Sequence, residues 1–227
     1  MNVRPLLVAN SVLIAAMAGV SAWVWQTIPD AARLPVHWGI DGQPDRFGSK
    51  IEALVALPVI AVLLTLVFWG LPYIDPRRRN LEASSKFWNA AAIGGVALLA
   101  YVHMLMVLSA TGRAIDMGDY LIPAISILFI VIGNYLPKTR SNWFAGVRTP
   151  WSMSSDYSWT KTHRLASRLF MGSGILSIAV WLIAGTKIAM FVFVGTALAT
   201  AVISVVASYV YWKNDPARVG ATANGEA

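Results

Sequence analysis

The chain has 227 residues, 57% of them hydrophobic and only 13% charged, whereas an ordinary soluble domain carries about 25% charged residues; too little polar surface remains to wrap a water-soluble globule. The formal charge of +7 would point a soluble chain towards nucleic acid, but in a membrane chain it first sets orientation, so no direct nucleic-acid contact is expected. Cysteine is absent, which excludes disulfide frameworks, thiolate metal sites and cysteine nucleophiles.

In chain order, six apolar runs approach or exceed the roughly 20 residues that a hydrocarbon core demands of a helix: Leu6 to Ile28, Ile51 to Ile74, Phe87 to Ala110, Tyr120 to Leu136, Leu165 to Ala184 and Ile188 to Trp212. Lipid-exposed backbone must satisfy its own hydrogen bonds, and the strict alternation of barrel strands is missing. The expected fold class is therefore all-α, a polytopic bundle of six transmembrane helices. The first run follows Arg4 and contains the small residues Val20, Ser21 and Ala22, but it exceeds the roughly 7 to 15 residues of a signal-peptide core and reads as a span. Pro58 should kink the second span, while Pro123 falls in the first turn of the fourth, where its missing N–H costs little. Gly94, Gly95, Gly172, Gly174, Gly195, Ala197 and Ala201 would let helices approach closely.

His103 lies inside the third span, a costly place for an ionisable group. A proton path would want a carboxylate there, and Glu52 and Asp75 sit at helix ends, so a neutral histidine bonded to a neighbouring helix is expected. Trp23, Trp25, Trp69, Trp88, Trp181 and Trp212 fall near span ends, as interfacial belts require.

With the N-terminus inside, the cytoplasmic side carries Arg4, Arg77, Arg78, Arg79, Lys86, Lys138, Arg140, Arg148, Lys161, Arg164, Arg168, Lys213 and Arg218; the outer side carries Arg33, Arg46, Lys50, Arg113 and Lys187. Basic residues favour the cytoplasmic side, so both termini are expected inside. The tail 213–227 lacks apolar periodicity and is expected to be disordered.

Two connections stand out. The outer one, 29–50, holds Pro35, Gly39, Gly42, Pro44 and Gly48, which oppose a helix and specify turns; Trp38 and Phe47 are expected to pack on the bundle. Its His37, Asp41 and Asp45, with Asp116 and Asp119 on the same side, offer cation ligands, but the i, i+4, i+8 spacing needs a helix that the glycines and Pro44 forbid, so no metal is expected. The inner one, 137–164, interleaves cations with aromatics around Asn142, Trp143, Gly146, Arg148, Thr149, Pro150 and Trp151, then Trp159, His163 and Arg164. Adhesion to anionic lipid needs charge alone, whereas the prolines, glycine and aromatics here argue for a shaped loop. Ser152, Ser154, Ser155, Asp156 and His163 lack a nucleophile elbow or base spacing, so no catalytic residues, enzyme activity or cofactor are expected.

Gly133-Asn134, Leu136-Pro137-Lys138, Asn142-Trp143-Phe144, Gly146 through Trp151, and Trp159, Lys161, His163 and Arg164 resemble the signature of the SdpI family of bacterial integral membrane immunity proteins. Leu34 through Trp38, with Gly42, Asp45, Gly48 and Lys50, is similar to the small domain that precedes that signature in many members. The resemblance implies a multi-pass protein of the bacterial inner membrane that binds or neutralises a toxic or signalling peptide and, as in the best-known member, holds a cytoplasmic repressor at the membrane. It divides the chain into a two-helix unit, 1–74, and a four-helix unit, 87–212, with the signature at 133–164. The expected functional residues are Asn134, Pro137, Asn142, Trp143, Gly146, Arg148, Thr149, Pro150, Trp151, Trp159, His163 and Arg164 inside, and Pro35, His37, Trp38, Asp45 and Lys50 outside. Membrane lipids surround the bundle. A small-solute transporter or channel is the competing reading, weakened by the scarcity of charge pairs within the spans.

Overall fold

A computed structural model describes residues 1–39 and 42–223. Its long helices are α1 (Arg4–Trp25), α2 (Lys50–Ile74), α4 (Ser85–Ala110), α5 (Met117–Tyr135), α7 (Asp156–Ala184) and α8 (Thr186–Lys213), with short α3 (Arg78–Ala83), α6 (Pro150–Ser154) and α9 (Pro216–Ala223) between or after them. Six are long and apolar enough to cross a bilayer, as the apolar runs predict.

Along the last two long helices burial is inverted relative to a soluble protein. Along α8 the buried positions include Thr200, Ser204 and Ser208, while Leu198, Val202 and Val206 face outward; α7 likewise buries Ser173 and Ser177 and leaves Ile183 86% exposed. Small and hydroxylated side chains let helices meet at close range, and the large aliphatic ones face lipid. Gly174 shows how close: a Cβ there would lie 2.5 Å from the Ser126 carbonyl oxygen of α5.

Helix α2 contains Pro58 and Pro72, each of which removes the N–H that would bond the carbonyl four residues earlier. Both orphaned oxygens find donors on other helices. The Ser21 hydroxyl of α1 donates to the Leu54 carbonyl at 2.7 Å, and the Trp88 indole N–H of α4 donates to the Phe68 carbonyl at 2.9 Å. Since the single Ser21 proton is committed to Leu54, the contact between Ser21 Oγ and His103 Nε2 at 2.9 Å makes Nε2 the donor. His103 thus supports the packing of α1 on α4.

Helices α1, α2 and α4 pack together, as do α5, α7 and α8, and α4 meets α5 between the groups. The third span, which the sequence division places with the later helices, therefore packs chiefly on the first two. A core of Leu6, Leu81, Phe87, Trp88, Leu136, Ala145 and Ala166 joins the groups at the end where α2 runs out and α7 begins. That end, the signature end, carries 136–155.

The opposite end carries an element that the all-α expectation lacks. Leu34–Trp38 (β1) and Pro44–Gly48 (β2) form an antiparallel pair with irregular register around His37. Leu34 is buried beside Val24, Ile28 and Leu54, and Trp38 packs near Leu105, Met106 and Met117. Phe47, by contrast, is exposed. Two further expectations change: α7 starts at Asp156 rather than Leu165 because the Ser155 hydroxyl caps the Ser158 N–H, and the tail after Lys213 is helical over Pro216–Ala223.

Candidate functional site at the signature end

Asn142 organises the signature segment. Its fully buried side chain accepts from the N–H groups of Phe144 and Ala145 at 2.9 and 2.7 Å and donates to the carbonyls of Arg140 and Ala145 at 2.8 and 3.2 Å. Asparagine alone among side chains of this size offers an acceptor and two donors in one plane. It is a staple of the loop and presents nothing to solvent.

Trp159 and His163, one turn apart on the early α7 extension, form the floor. Their rings stack at 4.0 Å, and the Trp159 indole N–H donates to the Thr139 carbonyl at 3.2 Å. His163 is buried: Nδ1 donates to the Trp159 carbonyl at 2.7 Å, which leaves Nε2 to accept the Val147 N–H at 3.0 Å. Both nitrogens of the neutral ring are used. Gly146 lies over the imidazole with φ of +104°, and a Cβ there would lie 2.2 Å from Nε2, so both backbone shape and space demand glycine. Thr149 and Ser152 close a capping box on α6, with Pro150 in its first turn. Thr149 also bonds Ser208 of α8 at 2.8 Å, and Trp151 packs edge-on to Tyr209 at 5.2 Å.

Against this scaffold the side chains of Trp143 and Arg148 stand out to solvent. Trp143 is 52% exposed, and Arg148 is exposed with Nη1 donating to the Trp143 carbonyl at 2.5 Å. They line a cleft of about 470 Å³ with Thr149, Pro150, Met153 and Arg77. No carboxylate pairs with the Arg77 or Arg148 guanidinium among the described residues. Two cations beside an indole suit an anionic group flanked by apolar surface. Asn134, Pro137 and Arg164 are exposed and do not line this cleft.

The opposite wall comes from a connection that charge counting reads as an ordinary basic loop. The Arg77 guanidinium bonds the Ser141 hydroxyl and, through both terminal nitrogens at 3.1 Å, the Met153 carbonyl. Asp75 accepts the Trp143 N–H at 3.2 Å, Asn80 donates to the Ser141 carbonyl at 2.8 Å, and Ser84 accepts the Arg140 N–H at 2.8 Å. These partners lie at least 56 positions away in sequence. The nearest available signal was the Asp75-Pro76-Arg77 turn that follows the second span.

At the hairpin end the predicted residues separate by role. His37 and Asp45 form an exposed pair at 2.6 Å, and Pro35 and Trp38 are partly buried in β1. Lys50, expected on the surface, is buried instead, donating to the Ile28 carbonyl at 2.7 Å and Asp30 at 2.9 Å with its ammonium 4.6 Å from the Trp25 ring centre. Asp116 caps α5 through the Gly118 N–H at 3.0 Å. Asp41 lies outside the described residues; among those described, no three His, Asp or Glu side chains converge as metal ligands.

Comparison with known proteins adds to this geometry. The SdpI/YfhL protein family matches residues 138–208, and a domain of unknown function, DUF1648, matches residues 12–62. The chain is 24% identical over 190 residues, 84% of its length and 87% of the relative's, to the protein named Immunity protein SdpI of Bacillus subtilis (strain 168). No solved structure gives a significant match. These findings bear out the resemblance to the SdpI family, and with six spanning helices they place the chain in a bacterial membrane as a multi-pass protein.

Proposed function

We propose that the protein is a membrane immunity protein that neutralises a toxic peptide, and that the cleft between Arg77 and Arg148 recruits a cytoplasmic regulator when the peptide is present. One observation supports this reading above others: a buried scaffold of Asn142, Trp159 and His163 holds Trp143 and Arg148 at the rim of a two-arginine cleft. Lipid adhesion has no need of such construction. Transport has less support, because His103, buried midway along the third span, is bonded to Ser21 and has no carboxylate partner among the described residues.

A guanidinium holds a carboxylate through two parallel bonds, and a lysine ammonium cannot reproduce that fork. The test is survival of a sensitive bacterium expressing each variant at matched level and challenged with candidate peptides. Arg148→Lys should lower protection or signalling roughly tenfold, the equivalent of about 1.4 kcal/mol, while Arg78→Lys, whose side chain pairs with Glu82 on the exposed face, should behave as wild type. Equal behaviour of the two variants would reduce the segment to an orientation anchor.

The reading also requires the signature end to be cytoplasmic, as its excess of basic residues favours. In the cysteine-free chain, an impermeant thiol reagent applied to intact cells should label Ala31→Cys, on the exposed approach to β1, and spare Ser154→Cys, exposed at the end of α6. Labelling of Ser154→Cys from outside would invert the topology.

A further inference from the structure

A second hollow lies apart from the signature cleft. It is a lateral groove of about 710 Å³ between α4 and α5, floored by the small residues Gly94, Ala97 and Ala124 and walled by Leu98, Ile127 and Leu128. The groove has one polar end. Asp119, Tyr120 and Tyr101 line it there, beside Trp181 of α7; the rest is apolar.

Asp119 and Tyr120 sit in the first turn of α5, at the hairpin end, and the apolar lining continues along α5 to Val131. That distance is about 18 Å at the rise of an α-helix, close to the roughly 15 Å depth of one leaflet's hydrocarbon. An apolar hollow of this kind in a bilayer is not water-filled; it takes an apolar chain. The polar end decides what that chain carries. One Asp119 carboxylate oxygen accepts from the Thr186 hydroxyl of α8; the carboxylate forms no ion pair among the described residues, and neither the Tyr101 nor the Tyr120 hydroxyl donates to protein there. A carboxylate complements an ammonium, and phenol O–H groups complement phosphate oxygens.

We infer that this groove is a lipid site: it holds one acyl chain of a phospholipid in the hairpin-side leaflet, with an amine-bearing zwitterionic headgroup on Asp119, Tyr101 and Tyr120. The length match and the carboxylate favour this occupant over an anionic lipid, whose headgroup Asp119 would repel. The site is separate from the signature cleft, so its failure would leave the proposed immunity role standing.

The test is native mass spectrometry of the full chain, purified in mild detergent and exposed in turn to phosphatidylethanolamine and phosphatidylglycerol of identical acyl composition. The wild type should retain one phosphatidylethanolamine per chain, with a preference of roughly fivefold over phosphatidylglycerol. Ala97→Leu and Ala124→Leu, which fill the groove, should lose the adduct while remaining monodisperse; Asp119→Asn should keep an adduct but lose the headgroup preference. Val202→Phe, on the exposed face of α8, is the control and should retain the lipid. Unchanged retention in both groove-filling variants, an unchanged preference in Asp119→Asn, or an apolar peptide rather than lipid in the groove would overturn the assignment.

Discussion

Gly146→Ala is expected to abolish protection while leaving all six spans inserted. Two independent penalties coincide there. The φ of +104° is a region that side chains other than glycine rarely adopt, and the added methyl would meet His163 Nε2 at 2.2 Å. Relief requires the imidazole to leave, but His163 is held through the Trp159 carbonyl and is itself the acceptor for Val147 N–H. Displacing it strands a half-buried donor, a loss of about 1 kcal/mol, on top of backbone strain of about 1 to 3 kcal/mol. The signature segment should therefore lose its shape while the helices, which also pack directly on one another along their spans, remain. Limited proteolysis of inverted vesicles should nick residues 139–149 in the variant and spare the wild type. An intact segment together with lost protection would show that Gly146 acts by some route other than loop geometry.

Arg77→Ala should be nearly as damaging, and neighbouring arginines should not be. Arg77 ties the loop after α2 to both the start and the end of the signature segment, through Ser141 and Met153. Hydrogen bonds from a charged donor contribute about 1.5 to 3 kcal/mol each, and Arg77 also forms one wall of the cleft. Arg78 pairs with Glu82 on the surface, where an ion pair contributes at most about 1 kcal/mol. Survival and proteolysis of Arg77→Ala, Arg78→Ala and Arg79→Ala, compared at equal expression, separate a specific tether from bulk positive charge. Equal losses in all three variants would refute the tether.

Apolar runs made the six spans legible, because the bilayer imposes one length and one solvent on every crossing segment. The signature segment could also be located from its mixture of prolines, glycines, cations and aromatics. Its inner logic could not: nothing local in the sequence says that Asn142 folds back on Phe144 and Ala145, or that Asp75, Arg77, Asn80 and Ser84 close over it from a distant connection. The hairpin was hidden for a different reason. Pro35, Gly39, Gly42, Pro44 and Gly48 are turn formers, and they mask the alternation of Leu34, Val36 and Trp38 that turns one side of β1 to the bundle. Lys50 reads as a surface cation because charge is normally solvated; the Ile28 carbonyl, Asp30 and the Trp25 ring provide a buried alternative.

The two prolines of α2 also impose an order of assembly. A chain emerging from the ribosome is made from its N-terminus, and a carbonyl without a partner is expensive in hydrocarbon. When α2 enters the membrane, the donor for Leu54 already exists, on Ser21 of the preceding helix. The donor for Phe68 does not, because Trp88 is synthesised twenty residues later. The Leu54 carbonyl can thus be satisfied as the second helix arrives, whereas the Phe68 carbonyl stays open until α4 follows it in. The helical hairpin of α1 and α2 is an unfinished object at one end only, the end on which the signature segment is later built.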